Sequence, residues 1–327
     1  MLIARPLLIT LAFASITFAH ENVPLIQRDL APCNGVEMNL KPKEQLLNRL
    51  ESTDLDNLWI QFLKIQSDLF FDKEFAPIFD QTWWNEARDV LEIGSGNGDL
   101  LVKMSAAFPD KKYVGIDQQS TSVARAQEHF QSDRLTFVEW NAECFQEAFS
   151  DRFDVVIFRL TLQHLKQPRI ALEHAYRYLK KGGHVYIVDS HDSSRQSSYP
   201  IPLLDKAVKD LNEQNRNRGK GNRLISLEIQ KELNNQSSSL SPYFSVQMSN
   251  LDDDGHDTRD CPQVMISSRD VGASYRDYYL LFLEILNKGW NIPIDFEQAY
   301  EEASYFVENK DAWLRSGKHI LLLERKE

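Results

Sequence analysis

Apolar and polar positions divide the chain into stretches of different period. From Lys43 to about Ala87 apolar residues recur at helical spacing, as Leu46, Leu47 and Leu50, then Leu58, Trp59, Phe62, Leu63 and Ile65. Ser52-Thr53-Asp54 supplies a cap for the second helix. At Asp89 the period changes. Short apolar runs alternate with amphipathic segments down to about Ser190, predicting strands over 89–93, 112–116, 135–139, 154–158 and 184–189. Between them the spacing predicts helices over 99–108, 121–130 and 170–179. Lys180-Lys181-Gly182-Gly183 reads as the positively charged, glycine-closed end of the last of these. Strands alternating with short helices argue for βαβ units, a parallel sheet and helices on both faces.

Beyond Ser190 the composition shifts. Residues 192–242 are rich in Ser, Asn and Gln. Helical patterns remain over 203–211, 224–233 and 275–288, and Asp295 caps another running to about Asn309. Strands are expected over 244–248 and 319–324. No internal repeat is present.

The first residues have a different character. One arginine, Arg5, precedes an apolar stretch from Leu7 to Ala19, too short to span a bilayer, which needs about 20 residues. Thr17-Phe18-Ala19 places small residues where a signal peptidase cuts, with Ala12-Phe13-Ala14 as a second option. Residues 1–19 are therefore expected to be a signal peptide and the protein to be exported, with a cytoplasmic location as the alternative. No later segment reaches spanning length, so the rest of the chain is expected to be soluble. The predicted organisation is a helical cap over 20–87, a sheet core over 88–191, helical insertions carrying one sheet strand over 192–318, and a final core strand over 319–327.

Composition narrows the function classes. The chain has 327 residues, 42% of them apolar, enough for a full core. Its 48 acidic and 37 basic residues give a net charge of −11, so no nucleic-acid partner is expected. Three cysteines, Cys33, Cys144 and Cys261, form no C-x-x-C pair, which excludes a disulfide scaffold and a cysteine zinc site.

The strongest chemical signal is Leu91-Glu92-Ile93-Gly94-Ser95-Gly96-Asn97-Gly98-Asp99-Leu100, between a predicted strand and a predicted helix. Glycines let backbone turn sharply and approach a ligand closely. A dinucleotide loop wants G-x-G-x-x-G, and its third glycine would fall on Asp99. That argues against a nicotinamide oxidoreductase. Glu92 would repel a pyrophosphate and attract a cationic ligand. Asp117, at the tip of the second strand, is placed to accept both hydroxyls of a ribose. Asn141, after the third strand, is placed to read an adenine edge.

In the order and spacing of these segments, together with Phe153-Asp154-Val155-Val156-Ile157-Phe158 and Leu179–Asp189, the chain from Asp89 to Asp189 resembles class I S-adenosylmethionine-dependent methyltransferases. It is most similar to the branch of ubiquinone-biosynthesis-like and trans-aconitate-like small-molecule enzymes, whose segment after the fourth strand resembles Arg159–Leu165. The resemblance implies an α/β fold, a seven-stranded Rossmann-like sheet of order 3-2-1-4-5-7-6 whose last strand, 319–324, is antiparallel. It implies S-adenosyl-L-methionine as cofactor. Glu92 with Gly94, Ser95, Gly96 and Gly98 would hold the methionine end, Asp117 the ribose, and Asn141 and Ala142 the adenine, with Gln118 also touching the cofactor and Arg159 and His164 on the pocket wall. Asn141 is more often Asp in this branch; the amide keeps an acceptor and adds a donor.

The implied reaction is in-line transfer of a methyl group to an oxygen or nitrogen of a small molecule. A base is needed only if the acceptor carries a proton there. His191 is a candidate base, and Arg159 a candidate holder of an anionic substrate. The alternative is a non-catalytic, exported S-adenosylmethionine-binding or interaction protein.

Weaker signals carry less. Asn250–Gly255 imitates a calcium loop, but its twelfth position is Cys261, so no metal is expected. Arg216–Arg223 reads as an exposed basic loop, and Asn235-Gln236-Ser237 is a glycosylation triplet. Trp83-Trp84 is read as packing the cap on the core.

Overall fold

In the computed structural model the described residues are 42–327 except 220, 237, 259, 260 and 262. The expected signal peptide and residues 20–41 lie outside them, as does Ser237 of the glycosylation triplet.

The described residues open with helices α1 (Pro42–Ser52), α2 (Leu55–Phe79) and α3 (Thr82–Glu86). Asp54 caps α2 as its sequence suggests, accepting a hydrogen bond from the Asn57 amide at 2.9 Å. The alternating region follows as β1 (Asp89–Ile93), α4 (Asp99–Ala107), β2 (Lys112–Asp117), α5 (Ser120–Phe130), β3 (Leu135–Glu139), β4 (Phe153–Arg159), α6 (Pro168–Tyr178) and β5 (Leu179–Ser190). Then come β6 (Gln196–Ser197), α7 (Pro202–Arg218), α8 (Ile225–Asn234), β7 (Phe244–Ser249), β8 (Met265–Ser267), α9 (Ser268–Val271), α10 (Ser274–Trp290), α11 (Phe296–Glu308), β9 (Trp313–Arg315) and β10 (Lys318–Arg325).

Seven strands form one sheet in the order β3-β2-β1-β4-β5-β10-β7. Counting only its members in chain order, this is the expected 3-2-1-4-5-7-6. The first five are parallel, and β10 runs antiparallel to both β5 and β7. The central strands are buried on both faces, which is why they read as continuous apolar runs. Val90, Val155, Ile157, Tyr186 and Val188 pack on one face with α2, α4, α5, α7, α10 and α11. Leu91, Ile93, Val156, Phe158 and Ile187 pack on the other with α6 and α8. Residues 41–327 form one unit. Trp84 is fully buried, in line with the packing role expected of it.

Two expectations are corrected. Helix α6 ends at Tyr178, and Lys180–Gly183 is not its glycine-closed end but an irregularity inside β5. The register with β4 jumps there, Phe153 facing Leu179 while Val155 faces His184. Strands β6, β8 and β9 form a small second sheet that the sequence reading lacked.

Candidate active site

The parallel strands end in loops along one edge of the sheet, and the site grows from those loops. After β1 the chain turns through Gly94 and Gly96, with φ of 82° and 51°. Their loop is pinned to its neighbour strand: the amides of Gly94 and Ser95 both donate to the Ile116 carbonyl, at 2.7 and 3.0 Å. The Gly96 amide donates to Asp117 Oδ2 at 2.9 Å, and Asp117 Oδ1 accepts from the Gln119 amide at 2.8 Å. The loop backbone and the β2 carboxylate are thus preset together. Next to it, Leu160 has φ of 54°, rare for a leucine, at the turn that follows β4. Such strained turns cluster at functional sites.

Above these loops lies a cavity of about 920 Å³. It sits outside the carboxyl ends of the strands, where open α/β sheets bind ligands, and at the upper end of the size range of ligand pockets. Its floor includes Glu92, Gly94, Ser95, Gly96, Asp117, Gln118, Asn141, Ala142, Arg159 and His164. Helices α2, α7 and α10 close it from the other side with Trp59, Phe62, Leu211, Tyr278 and Trp290.

Two expected residues do not reach this cavity. His191 is not on its wall. Its neighbours are: Ser190, the last residue of β5, and Asp192, the first of a short 3-10 turn that His191 precedes. The His191 ring faces Ser193 and Gly255 instead, so the base expected there is withdrawn. Gly98 also lies off the wall. With φ of 84° it starts α4, and a Cβ there would come within 2.6 Å of the Phe137 ring. Gly98 therefore serves close packing of helix on sheet rather than ligand contact.

Electrostatics divides the floor. Glu92 is 2% exposed, and among the described residues its Oε2 has no hydrogen-bond partner. Burial pushes its carboxyl up to about 8, against the pull of the Arg159 guanidinium. An orphaned buried carboxyl facing a cavity is the partner a cationic ligand group would satisfy. Together with Asp117 on a preset loop, it fits the ammonium and ribose ends of S-adenosylmethionine. Asn141 turns its Oδ1 to the Glu143 amide at 2.9 Å. The Ala142 carbonyl accepts from His174 Nδ1 at 3.0 Å, which steadies that turn.

Arg159 is committed within the protein. Its Nε donates to Glu74 Oε2 at 2.6 Å, and its Nη1 donates to Gln66 Oε1 at 3.4 Å. Lys318, from the start of β10, also binds Glu74. Burial works against the Glu74 charge, but the two cations outweigh it and hold that carboxyl below its ordinary value. The sequence reading missed Glu74 and Lys318. Neither marks itself in the sequence: Glu74 is one of three consecutive charges in Phe70-Phe71-Asp72-Lys73-Glu74-Phe75, and Lys318 opens a strand that also holds His319, Glu324 and Arg325.

In the acidic loop the Asp252 and Asp257 carboxylates have partners within the protein. The Asp252 carboxylate accepts from the amides of Asp254 and His256, and Asp257 pairs with Arg315. Among the described residues no group of three or more His, Cys, Asp or Glu could hold a metal. No helix among them is long and apolar enough to cross a membrane.

Comparison with known proteins finds methyltransferases. A family model described as a methyltransferase domain matches residues 85–244. A ubiquinone/menaquinone biosynthesis C-methyltransferase of Allorhizobium ampelinum is 30% identical over 122 residues, 36% of this chain and 45% of that protein. Its counterpart in a Bradyrhizobium strain is 27% identical over 195 residues, 58% of this chain and 69% of that protein. The chain thus spans roughly half to two thirds of the length of these relatives. Among solved structures, the plantazolicin methyltransferase BpumL in complex with SAH aligns with a TM-score of 0.44 at 16% identity, over 85% of this chain and 90% of that one. With its glycine loop, its two strand-end acids and its sheet order, the segment 85–244 is a methyltransferase domain of the class I S-adenosylmethionine-dependent type.

Proposed function

We propose that this protein transfers the methyl group of S-adenosylmethionine to an oxygen or nitrogen of a small molecule bound in the same cavity. The observation that carries the reading is the orphaned Glu92 carboxyl, set beside Asp117 and a glycine loop on one cavity floor. Glu92 would hold the cofactor's methionine end, Asp117 with Gln118 its ribose, and Asn141 with Ala142 its adenine. His164, on the cavity wall, would border the cofactor.

When bound, the cofactor supplies an electrophilic methyl group, so the protein's task is placement and exclusion of water. Arg159 would act through position. Locked to Glu74, it fixes the wall beside Glu92 and biases that carboxyl toward its charged form. Helices α2 and α10 would exclude water: Phe62 stacks on Tyr278 at 5.1 Å and on Phe282 at 5.7 Å, roofing the acceptor half. The test is transfer of radiolabelled methyl from S-adenosylmethionine into fractionated cell extract. Label in a small-molecule fraction is expected. Tight cofactor binding with no transfer to any fraction would favour the non-catalytic alternative.

A further inference from the structure

Four ionisable side chains cross the carboxyl ends of the central strands on the face covered by α2. Glu92 leaves β1 and Arg159 leaves β4. Glu74 comes down from α2, and Lys318 rises from β10 opposite Ser190 of β5. Their signs alternate. Glu74 takes both Arg159 and Lys318, and all three are buried. The cavity wall exposes the two cations but not the carboxylate between them. Burial pulls the Lys318 ammonium down to about 8 against the opposing pull of Glu74, which leaves it mostly charged at neutral pH, so one carboxylate stands against two cations and a positive charge is in excess. Glu92 does not cancel it: while empty it is mostly protonated at neutral pH, and once paired with a ligand's cation it is neutral jointly with it.

A buried excess charge is costly unless something pairs with it. An apolar residue of similar length would pack this corner without that cost. Around Lys318 the wall is aromatic. The Phe70 ring lies 3.8 Å from its Nζ, and the Phe62–Tyr278 stack forms the adjoining roof. We propose that this half of the cavity takes an acceptor with an apolar body and one anionic oxygen group, a carboxylate or an ionised phenol, seated on Lys318 beside Arg159. Calling the ligand the acceptor rests on the methyltransferase reading; the anion site itself does not.

The test uses the full chain and three matched probes, 4-hexylbenzoate, 4-hexylbenzyl alcohol and 4-hexylbenzylammonium. Binding is followed by tryptophan fluorescence, since Trp59 and Trp290 line the cavity with ring centroids 6.3 Å apart. The benzoate is expected to bind at least tenfold more tightly than the alcohol, and the ammonium least tightly. Lys318→Met should erase the benzoate preference while leaving alcohol affinity within threefold, and Lys318→Arg should keep the preference. Equal binding of benzoate and alcohol by the unmodified protein, no saturable benzoate binding, or a preference that survives Lys318→Met would overturn the proposal. Should Lys318→Met fail to fold, the ranking on the unmodified protein decides. A parallel titration with S-adenosylhomocysteine separates the two readings: its failure would count against the methyltransferase and leave the anion preference readable.

Discussion

Replacing Glu92 by glutamine isolates the strained group of the site. The side chain is 2% exposed and its carboxyl is raised from 4.5 to about 8, chiefly by burial. Below pH 4.5 the folded and unfolded chains both carry it protonated, and it affects stability little through titration. Between pH 4.5 and about 8 the unfolded chain has lost this proton and the folded chain keeps it. Stability must then fall with rising pH, by up to about 1.4 kcal/mol per pH unit. Above about 8 the cost levels off at about 4–5 kcal/mol in the ligand-free protein. Glu92→Gln keeps the shape and removes the titration. Urea unfolding of both proteins without ligand, from pH 5 to 8.5, should show the variant gaining on the parent by several kcal/mol as pH rises. Binding should move oppositely. An ammonium at Glu92 needs the ionised carboxyl, so the parent's affinity for S-adenosylhomocysteine should increase with pH up to about 8. The variant should bind about 10–100-fold more weakly with a flatter profile. Parallel stability curves for the two proteins would refute this reasoning.

Two other predictions follow from the same loops. Asp117→Ala should weaken S-adenosylhomocysteine binding by about 1–3 kcal/mol, through unpaired ribose hydroxyls and a released Gly96 amide, and unchanged affinity by calorimetry would remove the ribose assignment. Gly98→Ala should cost about 2–4 kcal/mol of stability, because it combines a left-handed φ with a Cβ driven into Phe137. A denaturation midpoint equal to the parent's would contradict that packing role.

The middle of the sheet was legible because its central strands are buried on both faces and read as apolar runs between helical spacings. The glycine loop and its acids were legible because their chemistry depends on local spacing. Legibility failed where meaning depends on distant partners. Glu74 and Lys318 are 244 residues apart, and neither marks itself as part of a charge row until the fold joins them. Gly98 looked like a ligand contact because its constraint, the Phe137 ring, comes from another strand. His191 failed for a geometric reason, since it sits where the chain leaves β5 and turns into a short 3-10 helix, which aims its ring at Ser193 and Gly255. The start of β5 was misread because charged residues and glycines imitate a helix end. Strands β6 and β9 have two and three residues, too few to show any period.

The central claim is that the strand-end cavity holds the sulfur nucleoside through Glu92 and Asp117. Isothermal titration of the full chain with S-adenosylhomocysteine, with NADH as comparison, tests it most directly. One saturable site with a dissociation constant in the range of about 1–100 μM, and no heat from NADH, is the predicted result. Heat from NADH with none from S-adenosylhomocysteine would contradict it.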